Sequence, residues 1–286
     1  MGDATDQDSA TASLREAVLL DNNKLHGPTG NLYLLRYLDL LEVALQQADG
    51  AAVSGTYNTI SQSLSRFWAP ALPQDKKMSA TLGRPLRRSL GRIYTILFAK
   101  RDCKGLFDSA RLWLASMNDP KLNTENRLVV AQILQCTLSA HGAQILTLLP
   151  EILAVCAKLF RQPALPMNFR YTICQCARSA IFAGGSALSE PAARDILKGL
   201  RALLAEKNPV LQKGAAMALC ILFTTHVPLQ TLAEIDSLLA ICLKRLESSP
   251  WRTRQALVDF VAALLIVTQV ERTNTTVGKP KVARKE

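Results

Sequence analysis

The chain has 286 residues, 49% of them hydrophobic, enough to bury a sizeable core, and its net charge is +11. Its apolar runs are short or broken by charge, so no membrane span is expected. The acidic, polar start "MGDATDQDSATAS" lacks the basic head and apolar core of a signal peptide, and it meets the myristoylation pattern at Gly2 only loosely.

Residues 1–10 read as disordered and 11–21 as a short helix, followed by a turn at "LHGPTG". Over 31–49, Leu34, Leu38, Leu41 and Leu45 recur at helical spacing and mark one apolar face. A partner helix is expected over 53–68. Two prolines break the next stretch, 69–80, into a loop.

Charge then concentrates. From Arg66 to Arg111 eleven basic residues face three acids, +8 of the total +11. Arg84, Arg88 and Arg92 are four apart and share a helix side. They are the candidate contact for an anion or partner: an acidic peptide, a phosphoinositide headgroup or a nucleic acid. A solvated helix face with one or two structural arginines explains the same residues. Nucleic acid is the less attractive ligand, because no aromatic residues interleave with the basic ones.

From about 84 to 269, helices alternate with short turns, and one phrase recurs. "KNPVLQKGAAMALCILF" (207–223) and "SSPWRTRQALVDFVAALL" (248–265) each set an N-cap residue, Asn208 or Ser249, before a proline and an apolar helix. "LPMNFRYTICQCARSAIF" (165–182) and "NTENRLVVAQILQCTLSA" (123–140) are variants of it. Their basic residues, Arg127, Arg170, Lys213 and Arg254, fall at intervals of 43, 43 and 41. Arg88 is a more divergent earlier member. A period near forty built from helix pairs is the mark of HEAT or armadillo repeats. The four residues are therefore expected at equivalent places, as a structural ladder.

The segments between supply amphipathic partner helices. "TLAEIDSLLAICLKRL" (231–246) carries Leu232, Ile235, Leu239, Cys242 and Leu246 on one face, and Thr231 with Glu234 has capping-box spacing. "SEPAARDILKGLRALLAEK" (189–207) repeats this with Ile196, Leu197, Leu200, Leu203 and Leu204, and "TLLPEILAVCAKLF" (147–160) is a third. Such pairs cover their apolar faces only by stacking. The expected fold is an all-α solenoid of five or six antiparallel helix pairs over 11–269, between the disordered start and a disordered basic tail at 270–286. The last helix lacks a polar outer face. That implies a longer solenoid, or a docked partner, beyond it.

No catalytic, metal or cofactor pattern is legible. The seven cysteines read as small buried hydrophobes. Cys174 and Cys176, two apart on a helix, point away from each other and cannot easily grip one ion. His26 sits in a turn, and His141 and His226 near helix ends. Gly184 and Gly185 read as a helix C-cap. "NTT" at 274–276 fits a glycosylation acceptor only in a secreted chain. An enzyme, a small-molecule substrate and a cofactor are not expected.

Several stretches together resemble one family. "YLLRYLDLLEVALQQAD", "GRPLRRSLGRIYTILF" followed by "LFDSARLWLASMND", and "CILFTTHVPLQTLAEIDSLLAICLKRLESSPWRTRQALVDFVAALL" are similar to the amino-terminal region of the large HEAT-repeat proteins that accompany the clathrin adaptor complex one. The resemblance runs, with gaps, from about residue 31 to 269. It implies a cytoplasmic, non-enzymatic scaffold, peripheral at trans-Golgi network and endosomal membranes. It also implies clathrin adaptor complex and accessory proteins as partners, and a part in protein sorting and retrograde transport. The family has no catalytic residues to carry over. From another class, a HEAT-type nuclear transport or nucleic-acid-associated protein would use the basic 66–111 surface on an acidic polymer.

Overall fold

The computed structural model describes residues 12, 14–70, 75, 82–225 and 232–277. The expected disorder at 1–10, the Thr231 cap, His226 and most of the 69–80 loop lie outside them. After a short helical turn at Asn22–Leu25, capped by the Asp21 carboxylate, eleven α-helices follow among the described residues. They are α1 (Gly30–Gln47), α2 (Gly50–Ser65), α3 (Arg84–Lys100), α4 (Leu106–Asn118), α5 (Thr124–His141), α6 (Leu149–Phe160), α7 (Met167–Gly184), α8 (Glu190–Ala205), α9 (Pro209–Thr225), α10 (Leu232–Ser248) and α11 (Trp251–Val277).

The helices form two rows. In the long row, α1, α3, α5, α7, α9 and α11 each pack on the next. In the short row, α4, α6, α8 and α10 are neighbours, and α2 joins α4 through Tyr57 Oη and Ser109 Oγ, 3.3 Å apart. Each short-row helix from α4 onward also packs against the long-row helix that follows it. This is an α-solenoid, with one continuous core from Leu14 to Val267.

Local chemistry starts the helices where the sequence predicts. Asn123 accepts from the Glu125 N–H, and Asn208 accepts from Val210 and Leu211. Pro85, Pro150 and Pro191 stand in first turns, where a missing N–H costs nothing. Ser249 departs from its expected role. Its hydroxyl bonds Gln212 Oε1 instead of capping α11. Gly185 ends α7 at φ 46°, a left-handed value that glycine adopts freely, and its N–H closes on Ile181 O.

The leucines at 34, 38, 41 and 45 are fully buried, and the predicted face residues of α8 are buried as well. In α10 the buried side chains are Ile235, Leu238 and Cys242, while Leu239 and Leu246 are only half-buried. The core register therefore runs through Leu238, not Leu239. Helix α11 continues to Val277, past the predicted end at 269.

One stretch, Thr124–Phe160, is apolar and long enough to cross a membrane by length and composition, contrary to the expectation from the sequence. The structure breaks it at Ile145, with φ −127° and ψ 36°, inside the 3₁₀ turn Gly142–Leu148. On either side, α5 and α6 have their apolar faces in the core. Its hydrophobicity belongs to repeats covered on several sides.

Candidate functional site

The repeat register is readable in the backbone. In each long-row helix from α3 to α11, one residue closes the first turn on the carbonyl four positions back. These residues are Arg87, Arg127, Arg170, Gln212 and Arg254. Their intervals are 40, 43, 42 and 42. Arg127, Arg170 and Arg254 thus occupy equivalent backbone places. Lys213 and Arg88 do not: each lies one residue late, and Gln212 and Arg87 hold the places assigned to them.

The buried members of this set tie repeats together. Arg127 Nε donates to Met117 O, 2.9 Å away, in the last turn of α4, and its guanidinium lies 5.0 Å from the Phe169 ring centroid of α7. Arg170 pairs with Glu206 at the end of α8. Gln212 donates to Glu206 O and accepts from Ser249 Oγ. Each side chain satisfies carbonyls or a carboxylate at a helix end, where backbone acceptors lack partners. Burial disfavours the charged forms of Arg87 and Arg127, and Glu125 and Asp119 respectively offset this. Arg254 is exposed and adds no such tie.

Much of the basic 66–111 stretch is committed to the fold. Arg66 makes two hydrogen bonds to Asp75, of 3.0 and 2.8 Å, and His26 lies 3.5 Å from the same carboxylate. Arg87 donates to Leu82 O and faces Glu125 at 3.9 Å. Lys100 donates to Gln46 O and Ala48 O, closing the end of α1. Arg101 stacks 3.5 Å from the Tyr57 ring centroid. Of the three candidate contact residues, Arg92 is held by Glu42 at 2.9 Å. Arg84 and Arg88 are exposed and have no carboxylate partner among the described residues.

One register step beyond the ladder begins a solvent-facing stripe, at offsets of one, five, eight and twelve residues from the first-turn position. On α3 it carries Arg88 and Arg92. On α5 its first place is taken by the buried Leu128, and it carries Gln132, Gln135 and Ser139. On α7 it carries Tyr171, Gln175, Arg178 and Phe182, and on α9 Lys213, Met217 and Cys220. Its polar groups are connected on α5. Gln132 Nε2 donates to Gln135 Oε1 (2.8 Å), Gln135 Nε2 to Ser139 Oγ (3.0 Å), and Ser139 Oγ lies 2.8 Å from Ser179 Oγ of α7. Gln175 Nε2 is buried with no partner among the described residues. The stripe was not anticipated from the sequence; the forty-residue period contained it, one position past the residues that marked the repeat.

The cysteines do not form a reactive centre. Cys156, Cys174, Cys176 and Cys242 are buried, and burial pushes Cys156 and Cys242 up to about 12. No group of three or more His, Cys, Asp or Glu able to hold a metal occurs among the described residues.

No family model matches the chain, and no curated protein matches it. Solved structures do. An engineered protein, 12% identical, covers 89% of this chain and 97% of its own, with TM-score 0.53. A designed armadillo repeat protein in complex with the peptide (KR)4, 11% identical, covers 82% of this chain and 99% of its own, with TM-score 0.52. The fold is a HEAT/armadillo-type α-solenoid. At these identities the likeness is one of architecture.

Proposed function

We propose that this solenoid is a non-enzymatic scaffold that binds protein partners along the solvent-facing stripe of its long row. The observation that carries this is the stripe itself. Four long-row helices in one register, α3 to α9, present polar side chains at repeating offsets, cationic on α3, α7 and α9 and amide-bearing on α5 and α7. The designed armadillo protein of the same architecture is a peptide binder. An array of amides and cations is suited to holding a peptide chain.

The setting we propose is clathrin-adaptor traffic between the trans-Golgi network and endosomes, with the protein cytoplasmic and peripheral to those membranes. The support is the resemblance of the stretches at 33–49, 83–119 and 220–265 to the adaptor-associated HEAT family. Nuclear transport or nucleic-acid binding through the basic stretch is disfavoured, because Arg66, Arg87, Arg92, Lys100 and Arg101 are occupied within the protein.

Proximity labelling from the intact chain in cells tests the setting. Enrichment of clathrin adaptor subunits is the expected result. A labelled set dominated by nuclear pore or chromatin proteins overturns it.

A further inference from the structure

Acidic residues are nearly absent from the middle of the long row, although its end helices carry some, Glu42 on α1 and Asp259 on α11 among them. Helices α3, α7 and α9 contain no Asp or Glu, and α5 contains only Glu125, which faces Arg87. The short-row helices α4, α6, α8 and α10 all carry acids, among them Asp108, Glu151, Asp195 and Asp236. The stripe from α3 to α9 holds no acid of its own, and only its Arg92 is paired with a carboxylate, Glu42 of α1. Arg88, Arg178 and Lys213 have no carboxylate partner among the described residues.

We propose that this stripe binds an extended, acidic peptide segment of a protein partner, with the chain crossing α5, α7 and α9. This rests on the scaffold reading above and specifies its ligand. Two physical matches support it. A primary amide offers one donor side and one acceptor, the same pair that a peptide unit offers, so Gln132 and Gln175 at one offset on neighbouring helices suit a peptide backbone. The buried, unpartnered Nε2 of Gln175 gains a hydrogen bond when it turns to a peptide carbonyl.

Spacing is the second match. Packed helices lie about 8–10 Å apart. A polyproline-type chain rises about 3.1 Å per residue and repeats every third residue, about 9 Å. One side chain in three thus meets one helix after another, an acidic one facing Arg178 on α7 and the next Lys213 on α9, while α5 offers amides. A nucleic acid duplex carries a charge about every 1.7 Å and suits denser cation clusters than one per helix.

The test is fluorescence anisotropy of a labelled (Glu-Pro-Ala)4 peptide on the full chain near about 0.15 M salt, where distant exposed charges are screened. Binding is expected, and (Gln-Pro-Ala)4 should bind at least about tenfold more weakly. Arg178→Gln with Lys213→Gln, and separately Gln132→Ala with Gln175→Ala, should each weaken binding about tenfold or more, with circular dichroism and melting unchanged. Lys104→Gln with Arg111→Gln removes the same charge away from the stripe and should leave binding within about twofold. Equal binding of acidic and neutral peptides overturns the proposal. So does equal loss in the two charge-matched pairs, or tighter binding to phosphatidylserine vesicles or oligo-dT than to peptide.

A photo-crosslinker at Met217, on the stripe, and another at Ala202, exposed on α8, separate this from the scaffold reading. Crosslinks from Met217 to mapped acidic segments are expected. Partners captured only at Ala202 overturn the stripe and leave a scaffold. No partner at either position overturns both.

Discussion

Arg170, in the first turn of α7, grips Glu206, the C-cap residue of α8, through both terminal guanidinium nitrogens, one of them at 3.0 Å. The arginine is buried and the carboxylate about one-third exposed. Glu206 also lends its backbone carbonyl to Gln212 of α9. One residue at a helix end thus joins two successive repeats, and its geometry is the fork-to-fork pairing that a lysine cannot reproduce.

Removing one partner leaves the other poorly solvated. Arg170→Ala should cost about 2–4 kcal/mol, somewhat below a fully buried pair because Glu206 keeps some water. Glu206→Ala should cost less. Urea denaturation of both singles and the double variant measures the coupling, expected at about 1 kcal/mol or more. Additive losses would mean that the two side chains do not hold the repeats together.

The register of α10 gives a sharper contrast between neighbours. Leu238 is fully buried and Leu239 half-buried. Leu238→Ala should cost about 2–5 kcal/mol, as for other core leucines, and Leu239→Ala clearly less. Asp195→Ala and Lys244→Ala, on exposed sites, should stay within about 0.5 kcal/mol. Thermal melts rank the four. A larger loss at Leu239 than at Leu238 would contradict the packing.

That contrast also marks where the sequence stopped being legible. The solenoid was readable because proline, caps and apolar runs recur, and such local signals need no partner. A one-residue register was not. "LL" offers two leucines at 238 and 239, and the three-four spacing accepts either. The ladder failed in the same way at two places. Charge singles out Lys213 and Arg88, whereas the first-turn places belong to Gln212, which bonds the end of α8 at Glu206 O, and to Arg87, which bonds Leu82 O just ahead of its own helix. The fate of the basic stretch was hidden for another reason. Arg92 finds Glu42 fifty positions away, and no local pattern announces that pairing.

Close helix contact makes a reciprocal test. A Cβ built on Gly142 would lie 2.5 Å from the Ala183 Cβ of α7. The Gly142 backbone is right-handed, φ −57°, so alanine there meets steric crowding and no backbone strain. Gly142→Ala should destabilise by about 1–3 kcal/mol through overpacking. Ala183→Gly alone should cost up to about 1 kcal/mol as a helical glycine. Together they exchange one methyl group, so the double variant should be more stable than the sum of the two losses. Strict additivity would show that the two positions do not touch.

The thiols carry a pH dependence whose sign follows from burial. Cys156 and Cys242 ionise near 9.0 when unperturbed, and burial raises both to about 12. Above pH 9 the unfolded chain sheds these protons while the native chain keeps them. The native state then binds more protons, so stability falls as pH rises from 9 toward 12, and it is insensitive to these groups below 9. Cys174 and Cys176 are shifted in the same direction by the same cause and add to the slope. Tyr37 and Tyr94, also raised by burial, contribute at the upper end. The expected result is a urea midpoint that is steady from pH 7 to 8.5 and drops between 9 and 10.5. The double variant Cys156→Ala, Cys242→Ala isolates the thiol share: it should be less stable at pH 8, yet lose less between pH 9 and 10.5 than the parent chain. An unchanged slope in that variant would mean that the two thiols are not held away from water.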